Sequence, residues 1–136
     1  MRELCCTIVT PERTVRDEAA KFVALPLFDG EIGIAPAHSP MIGRLGFGEL
    51  RMNVDEHTTY RYYVEGGFVE VLDDVVSVLS NRVLPADKVD AAAAEEQLAS
   101  ARERPANTPE LMALRDRVVS QARAQLQVAR RAGARS

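Results

Sequence analysis

The stretch YRYYVEGGFVEVLDDVVSVLSN, residues 60–81, decides how the chain is read. Tyr60, Tyr62 and Val64 alternate with Arg61, Tyr63 and Glu65, and beyond Gly66 and Gly67 the pair Val69 and Val71 alternates with Phe68, Glu70 and Leu72. Side chains along a strand point to opposite faces with a period of two, so the alternation predicts extended chain. Both faces carry apolar residues, which suits two sheets packed face to face. Asp73 and Asp74 predict a tight turn between the last two strands. The glycine pair predicts a bend or bulge, where only glycine tolerates the backbone angles and the close approach.

Towards the N-terminus the same texture continues in short runs: LCCTIVTP, TVRDEAAKFVALPLF, EIGIAP, GELRMNV and TTYRYYVEGG. Gly, Pro and Asp separate them, which is the pattern of an all-β sandwich or barrel. Cys5 and Cys6, the only cysteines, are adjacent in such a run. Neighbours on a strand diverge, so the two cannot clamp a metal; one buried and one outward thiol are expected.

After Pro85 the period changes. Ala, Glu, Gln and Arg dominate, with few β-branched residues, and these are good helix formers. Asp87 is a plausible N-cap, and Ala91, Ala94, Leu98 and Ala101 fall on one stripe. ERPANTPEL, residues 103–111, ends that helix at Pro105 and starts another at Thr108 and Pro109, a cap followed by proline in the first helical position. The second helix is expected to run to about Arg131, with Leu111, Leu114, Val118, Ala122, Gln125 or Leu126, and Ala129 on one face. The reading is a β-sandwich over residues 1–86 followed by an antiparallel two-helix hairpin over 87–136. A hairpin whose first helix offers mainly alanines is weakly held and free to open, since each alanine buries little area.

The net charge is −3 and unevenly spread. Residues 1–86 hold 8 Lys/Arg against 13 Asp/Glu, whereas 111–136 hold six arginines against Asp116 alone. A weakly acidic body therefore carries a basic tail. No run approaches the ~20 apolar residues of a membrane-spanning helix. The opening MRELCCTIVT lacks the order of a signal peptide, so a cytoplasmic chain is expected.

CTIVTPERTV, FDGEIGIAPAHSPMIGRLGFGELRM, YYVEGGFVEVLDDVVSVLSN and KVD stand in the order found in the epsilon subunit of F-type rotary ATP synthases, and over about the first 90 residues the chain resembles that family. The helical remainder resembles it in position, composition and length. The resemblance implies a non-catalytic subunit of the central rotor stalk, beside the gamma subunit and on the membrane-embedded c-ring, with the membrane met only through that ring. It implies a place on the cytoplasmic face of the proton-translocating membrane. In many bacterial members the hairpin extends along gamma into the alpha–beta hexamer and inhibits ATP hydrolysis, which suits a two-state element with a small energy gap.

The loop GEIGIAPAHSP, residues 30–40, is accordingly expected to dock on the c-ring through Glu31, Ile32, His38 and Ser39, with Ile32 or Ile34 anchoring it in the core. Catalysis or metal binding at His38 finds no support: Ser39 lies in no known nucleophile context, and no further ligands stand at suitable spacing. Arg115, Arg117, Arg123, Arg130 and Arg131 form either a solvated face or, as the resemblance implies, the contact to the acidic C-terminal part of the beta subunits, where guanidinium suits carboxylate. Nucleic acid is an unsuitable partner for a chain acidic overall, with its aromatics in the sandwich. Some family members bind ATP through an I/L-D-x-x-R-A signature. Here VDAAAA, residues 89–94, keeps Val89 and Asp90 but has Ala93 at the arginine position, so no cofactor is expected. The rival reading is a free-standing sandwich that binds a small ligand under a helical lid.

Overall fold

The computed structural model describes residues 2–135, and the chain divides into two compact units, Met1–Pro85 and Ala86–Ser136. The first is a β-sandwich. Its strands are β1 (Leu4–Val9), β2 (Thr14–Ala20), β3 (Phe22–Leu27), β4 (Gly30–Ile34), β5 (Met41–Arg44), β6 (Phe47–Asn53), β7 (Thr59–Glu65), β8 (Phe68–Leu72), β9 (Val75–Leu79) and β10 (Arg82–Pro85). They form two five-stranded sheets, ordered β2-β1-β9-β8-β5 and β10-β7-β6-β3-β4. The β1–β9 pair is parallel and the other pairs are antiparallel.

Over β8 and β9 the alternation read in residues 60–81 is the alternation of burial, whereas in β7 Tyr63 is buried along with its neighbours Tyr62 and Val64. Tyr62 and Val64 from one sheet, with Val69, Val71, Val76 and Val78 from the other, enter a core shared with Leu4, Cys6, Ile8, Leu25, Ile34, Leu50 and Met52. Asp73 and Asp74 both adopt left-handed backbone, φ 49° and 64°, as a two-residue hairpin with the twist of its strands requires. Gly66 and Gly67 lie where the chain leaves the second sheet for the first. A Cβ on Gly67 would stand 1.9 Å from the Leu79 carbonyl oxygen, so glycine is obligatory there. Cys6 is buried and Cys5 exposed, and burial pushes the Cys6 thiol up to about 12.

Three strand readings change. TVRDEAAKFVALPLF is not one run: it breaks at Lys21, whose N–H donates to the Asn53 carbonyl, and its halves become β2 and β3 in different sheets. Two further strands, β5 and β10, lie where no run was read. Each is four residues long at a sheet edge, too short for alternation to register.

The second unit holds a 3-10 turn, Ala86–Lys88, then α1 (Ala91–Glu103) and α2 (Pro109–Arg135). The N-cap of α1 is Asp90, not Asp87: its side chain accepts the Ala93 N–H at 3.0 Å, while Asp87 lies inside the 3-10 turn. Thr108 caps α2 by accepting the Leu111 N–H at 3.2 Å, with Pro109 in the first helical position. The helix runs past Arg131 to Arg135. Ala94 and Ala101 of α1 and Ala122, Gln125, Leu126 and Val128 of α2 are buried. Leu111 and Leu114, expected on the packed face, are exposed. Helix α1, about half as long as α2, lies along the second half of α2, where Arg130 reaches Glu95, and leaves the first turns of α2 uncovered.

Candidate functional site

Outward residues of the first sheet are unusually apolar. Strands β8 and β9 bury Val69, Val71, Val76 and Val78, and alternation therefore turns Phe68, Leu72, Val75 and Leu79 to the outside. Register places Phe68 beside Leu79 and Leu72 beside Val75. Edge strand β5 adds Ile42, the most exposed of these at 76 %. The Arg44 guanidinium lies 5.7 Å from the ring centroid of Phe28, itself exposed, and puts a charge among these aromatics. Glu70 and Ser77 stand between the Phe68–Leu79 and Leu72–Val75 pairs, and an outward face with this many exposed apolar side chains marks a protein contact rather than a solvated face. Packing between the sheets uses only one face of 68–79, so the apolar residues Phe68, Leu72, Val75 and Leu79 on the other face were the available signal.

Residues 30–40 are half strand and half turn. Glu31 belongs to β4, opposite Pro26, where its carboxylate meets Arg51 at 3.3 Å and stays half exposed. Ile32 packs partly buried against the core and Ile34 is wholly buried. Beyond β4 the chain turns, with the His38 N–H donating to the Ala35 carbonyl at 3.2 Å. Ser39 is exposed and His38 half-buried. The Ser39 carbonyl lies 2.7 Å from His38 Nδ1; a carbonyl only accepts, so Nδ1 carries the hydrogen and Nε2 is the atom left for a partner. Glu31 and Ile34 are ~10 Å apart along the strand, so Glu31 and His38 mark two ends of β4 rather than one tip.

A residue that sequence reading took only as a turn former organises this end. Asp74 Oδ1 accepts the Ala37 N–H at 2.7 Å, Oδ2 pairs with Arg2, and its backbone carbonyl accepts the Cys5 N–H at 2.8 Å. The Ala37 hydrogen bond first, and Arg2 second, hold the Asp74 carboxyl below the usual carboxylate range.

The arginines of α2 do not share one stripe. At ~100° per residue, Arg115, Arg123 and Arg130 fall within ~80° of one another, and Arg117 and Arg131 lie on another side. Arg115 approaches its neighbour Asp116 at 3.8 Å, and Arg130 reaches Glu95 of α1 at 4.0 Å. Ala93, at the position of the nucleotide signature's arginine, is exposed on the first turn of α1, and Asp90 is engaged as its cap. Among the described residues no group of three or more His, Cys, Asp or Glu side chains is placed to hold a metal, and no helix is long and apolar enough to cross a membrane.

Residues 3–86 match the family model described as the beta-sandwich domain of the ATP synthase delta/epsilon chain. Among curated relatives, the ATP synthase epsilon chain of Rhodopirellula baltica is 49 % identical over 125 residues, covering 92 % of this chain and 97 % of that one. That of Pelotomaculum thermopropionicum is 41 % identical over 97 residues, 71 % of this chain and 72 % of the relative. The fold also aligns with a chain of the Euglena gracilis mitochondrial ATP synthase at TM-score 0.83 and 18 % identity, covering 93 % of this chain and 81 % of that chain. A chain of the central stalk and c-ring structure from Tetrahymena thermophila aligns at 0.75 and 13 % identity, covering 94 % and 97 %. A sandwich with an appended helix pair thus defines the class of delta/epsilon chains of rotary synthases. Within that class, this chain belongs to the family of ATP synthase epsilon chains. It is accordingly a stalk subunit of the membrane-associated synthase and not its catalytic one, which decides against the free-standing ligand-binding sandwich.

Proposed function

We propose that the chain couples the gamma subunit to the c-ring in the rotor, as an autonomous sandwich over residues 1–86 carrying a mobile hairpin over 87–136. The observation that carries this reading is the apolar outer face of the first sheet, which takes gamma. Coupling two rotor parts requires one subunit with two contact surfaces, and the stretch from Glu31 along β4 to the turn carrying His38 and Ser39 supplies the second, for the polar loops of the c-ring. Ile32 anchors that stretch from the core side. The Euglena assembly includes a c-ring and the Tetrahymena assembly a central stalk with a c-ring, and both support these partners. The subunit then lies on the cytoplasmic face of the membrane and meets lipid only through the ring. The α2 arginines Arg115, Arg117, Arg123, Arg130 and Arg131 meet acidic segments of the beta subunits between alpha and beta, and restrain ATP hydrolysis.

The test is a Phe68→Glu, Leu79→Glu double variant. Both side chains point outward, so the sandwich is expected to fold with its melting temperature little changed, while co-purification with gamma is lost. Retention of gamma by the folded variant would overturn the assignment of this face.

A further inference from the structure

The turn after β4 has a shape that its own sequence does not favour. Ala37 sits at φ 68°, in the left-handed region that a residue with a Cβ seldom adopts. Such a conformation persists when the surroundings impose it. What imposes it comes from another hairpin: Asp74 Oδ1 takes the Ala37 N–H at 2.7 Å, so the acceptor is 37 residues away in sequence. Asp74 is in turn fixed on both sides. Its backbone, at φ 64°, belongs to the β8–β9 hairpin, its carbonyl is tied to β1 through Cys5, and its second oxygen holds Arg2. The carboxylate is thus a rigid post, built on two core strands, against which a locally disfavoured turn is pinned.

We propose that Asp74 is the positioning residue of the docking turn: its side-chain oxygen sets the backbone of 35–38, and so the direction in which His38 and Ser39 meet the rotor partner. The proposal rests on the reading of that turn as a docking surface. A prepaid turn conformation raises affinity because less freedom is lost on binding. Asp74 reaches the partner only through the turn.

Two substitutions separate the oxygen from the backbone requirement. Asp74→Gly accepts φ 64° without strain and removes the acceptor, whereas Asp74→Asn also tolerates that angle and keeps an oxygen for the Ala37 N–H. Full-length variants are compared in two measurements: amide exchange at Ala37 in the free subunit, and affinity for synthase stripped of this subunit. In Asp74→Gly the Ala37 amide should exchange about tenfold faster and affinity should fall about tenfold, the worth of one hydrogen bond. Asp74→Asn should restore both. If Asp74→Gly does not fold, replacing Ala37 by lactic acid deletes the same N–H with Asp74 intact, and the same loss of affinity is expected. Unchanged affinity in Asp74→Gly or in the lactic acid variant, or equal losses in Gly and Asn, would overturn the proposal. A Glu31→Ala, His38→Ala variant assayed alongside tells the two failures apart. If it loses affinity while Asp74→Gly does not, only the post is wrong; if neither does, the docking surface itself is misassigned.

Discussion

The guanidinium of Arg16 lies 3.6 Å from the centroid of the Tyr60 ring, joining β2 of one sheet to β7 of the other. Its Nε donates to the Tyr62 hydroxyl at 2.6 Å, and Nη1 meets Glu18 at 2.7 Å. These contacts hold the guanidinium charged well above its ordinary range, the Tyr62 hydrogen bond contributing most. Where the two sheets of a sandwich part at their margin, a long side chain that is apolar along its stem and charged at its head can close the gap.

Arg16→Ala should therefore destabilise the subunit by about 1–2 kcal/mol, from a stacked cation and a hydrogen bond to a buried tyrosine. Arg16→Lys should recover only a small part, since an ammonium can neither stack as a plane nor hold Tyr62 and Glu18 in a fork. Urea unfolding of the three proteins checks both statements.

Two glycines should respond in opposite directions. Gly67 has φ 102° and no room for a Cβ beside the Leu79 carbonyl, so Gly67→Ala should cost about 3 kcal/mol or more, through strain and a shifted β8–β9 pair. Gly133 lies within α2 with nothing within 4 Å of a built Cβ, and Gly133→Ala should stabilise the helix by about 0.5–1 kcal/mol. Thermal melts of the two variants, followed by circular dichroism, should move apart.

Acid should weaken the fold in a defined window. Asp74 is lowered by the Ala37 N–H and then by Arg2, and Asp55 by the His57 N–H first, each from an ordinary value of 3.8. A carboxylate lowered in the folded state contributes stability that is complete above its unfolded pKa and is lost as pH falls through the folded value. Stability should therefore be flat with respect to these two groups above pH ~5 and decline below pH ~4. Asp74→Asn should reduce the steepness of that decline, which chemical denaturation at a series of pH values measures.

Much of the sandwich was legible because its signal is local. Strands β8 and β9 alternate strictly, and Asp73-Asp74 and Gly66-Gly67 are residue pairs that tolerate the left-handed backbone observed. Strands β5 and β10 were not legible, since MIGR and RVLP are four-residue edges with no period to read. Of the proposed docking residues, Glu31 and His38 stood out in a stretch dense in glycine and proline, and Ser39 came with them through the family resemblance. Asp74 did not, because its role depends on a contact 37 residues away that only the folded register creates. Asp87 was read as the cap of α1, but the 3-10 turn at Ala86–Lys88 takes it up and Asp90 caps the helix instead.

The hairpin should be the soft part of the chain. Helix α1 buries only Ala94 and Ala101, and two alanines remove little apolar area from water compared with the valines, leucines and methionine of the sandwich core. A 13-residue helix is also marginal by itself. Amides of α1 should consequently exchange faster than those of β1, β8 and β9, and Asp90→Ala, removing a cap worth about 1 kcal/mol, should speed them further without affecting the strands. Equal protection of α1 and β9 by hydrogen exchange would argue against a mobile hairpin.

The basic helix should act through its first half. Leu111, Met112 and Leu114 are exposed there beside Arg115 and Arg117, an apolar cluster with charges at its rim, whereas Arg130 already meets Glu95 within the hairpin. Interfaces are anchored by desolvated apolar groups and steered by the charges around them. If α2 restrains hydrolysis by meeting acidic beta segments, Arg115→Ala with Arg117→Ala should raise the ATPase rate of the assembled synthase several-fold and weaken the salt dependence of inhibition. Arg130→Ala with Arg131→Ala should do less, and Leu111→Ser with Leu114→Ser should relieve inhibition without altering its salt dependence. Identical rates for all three pairs in reconstituted synthase would make the arginines of α2 a solvated face.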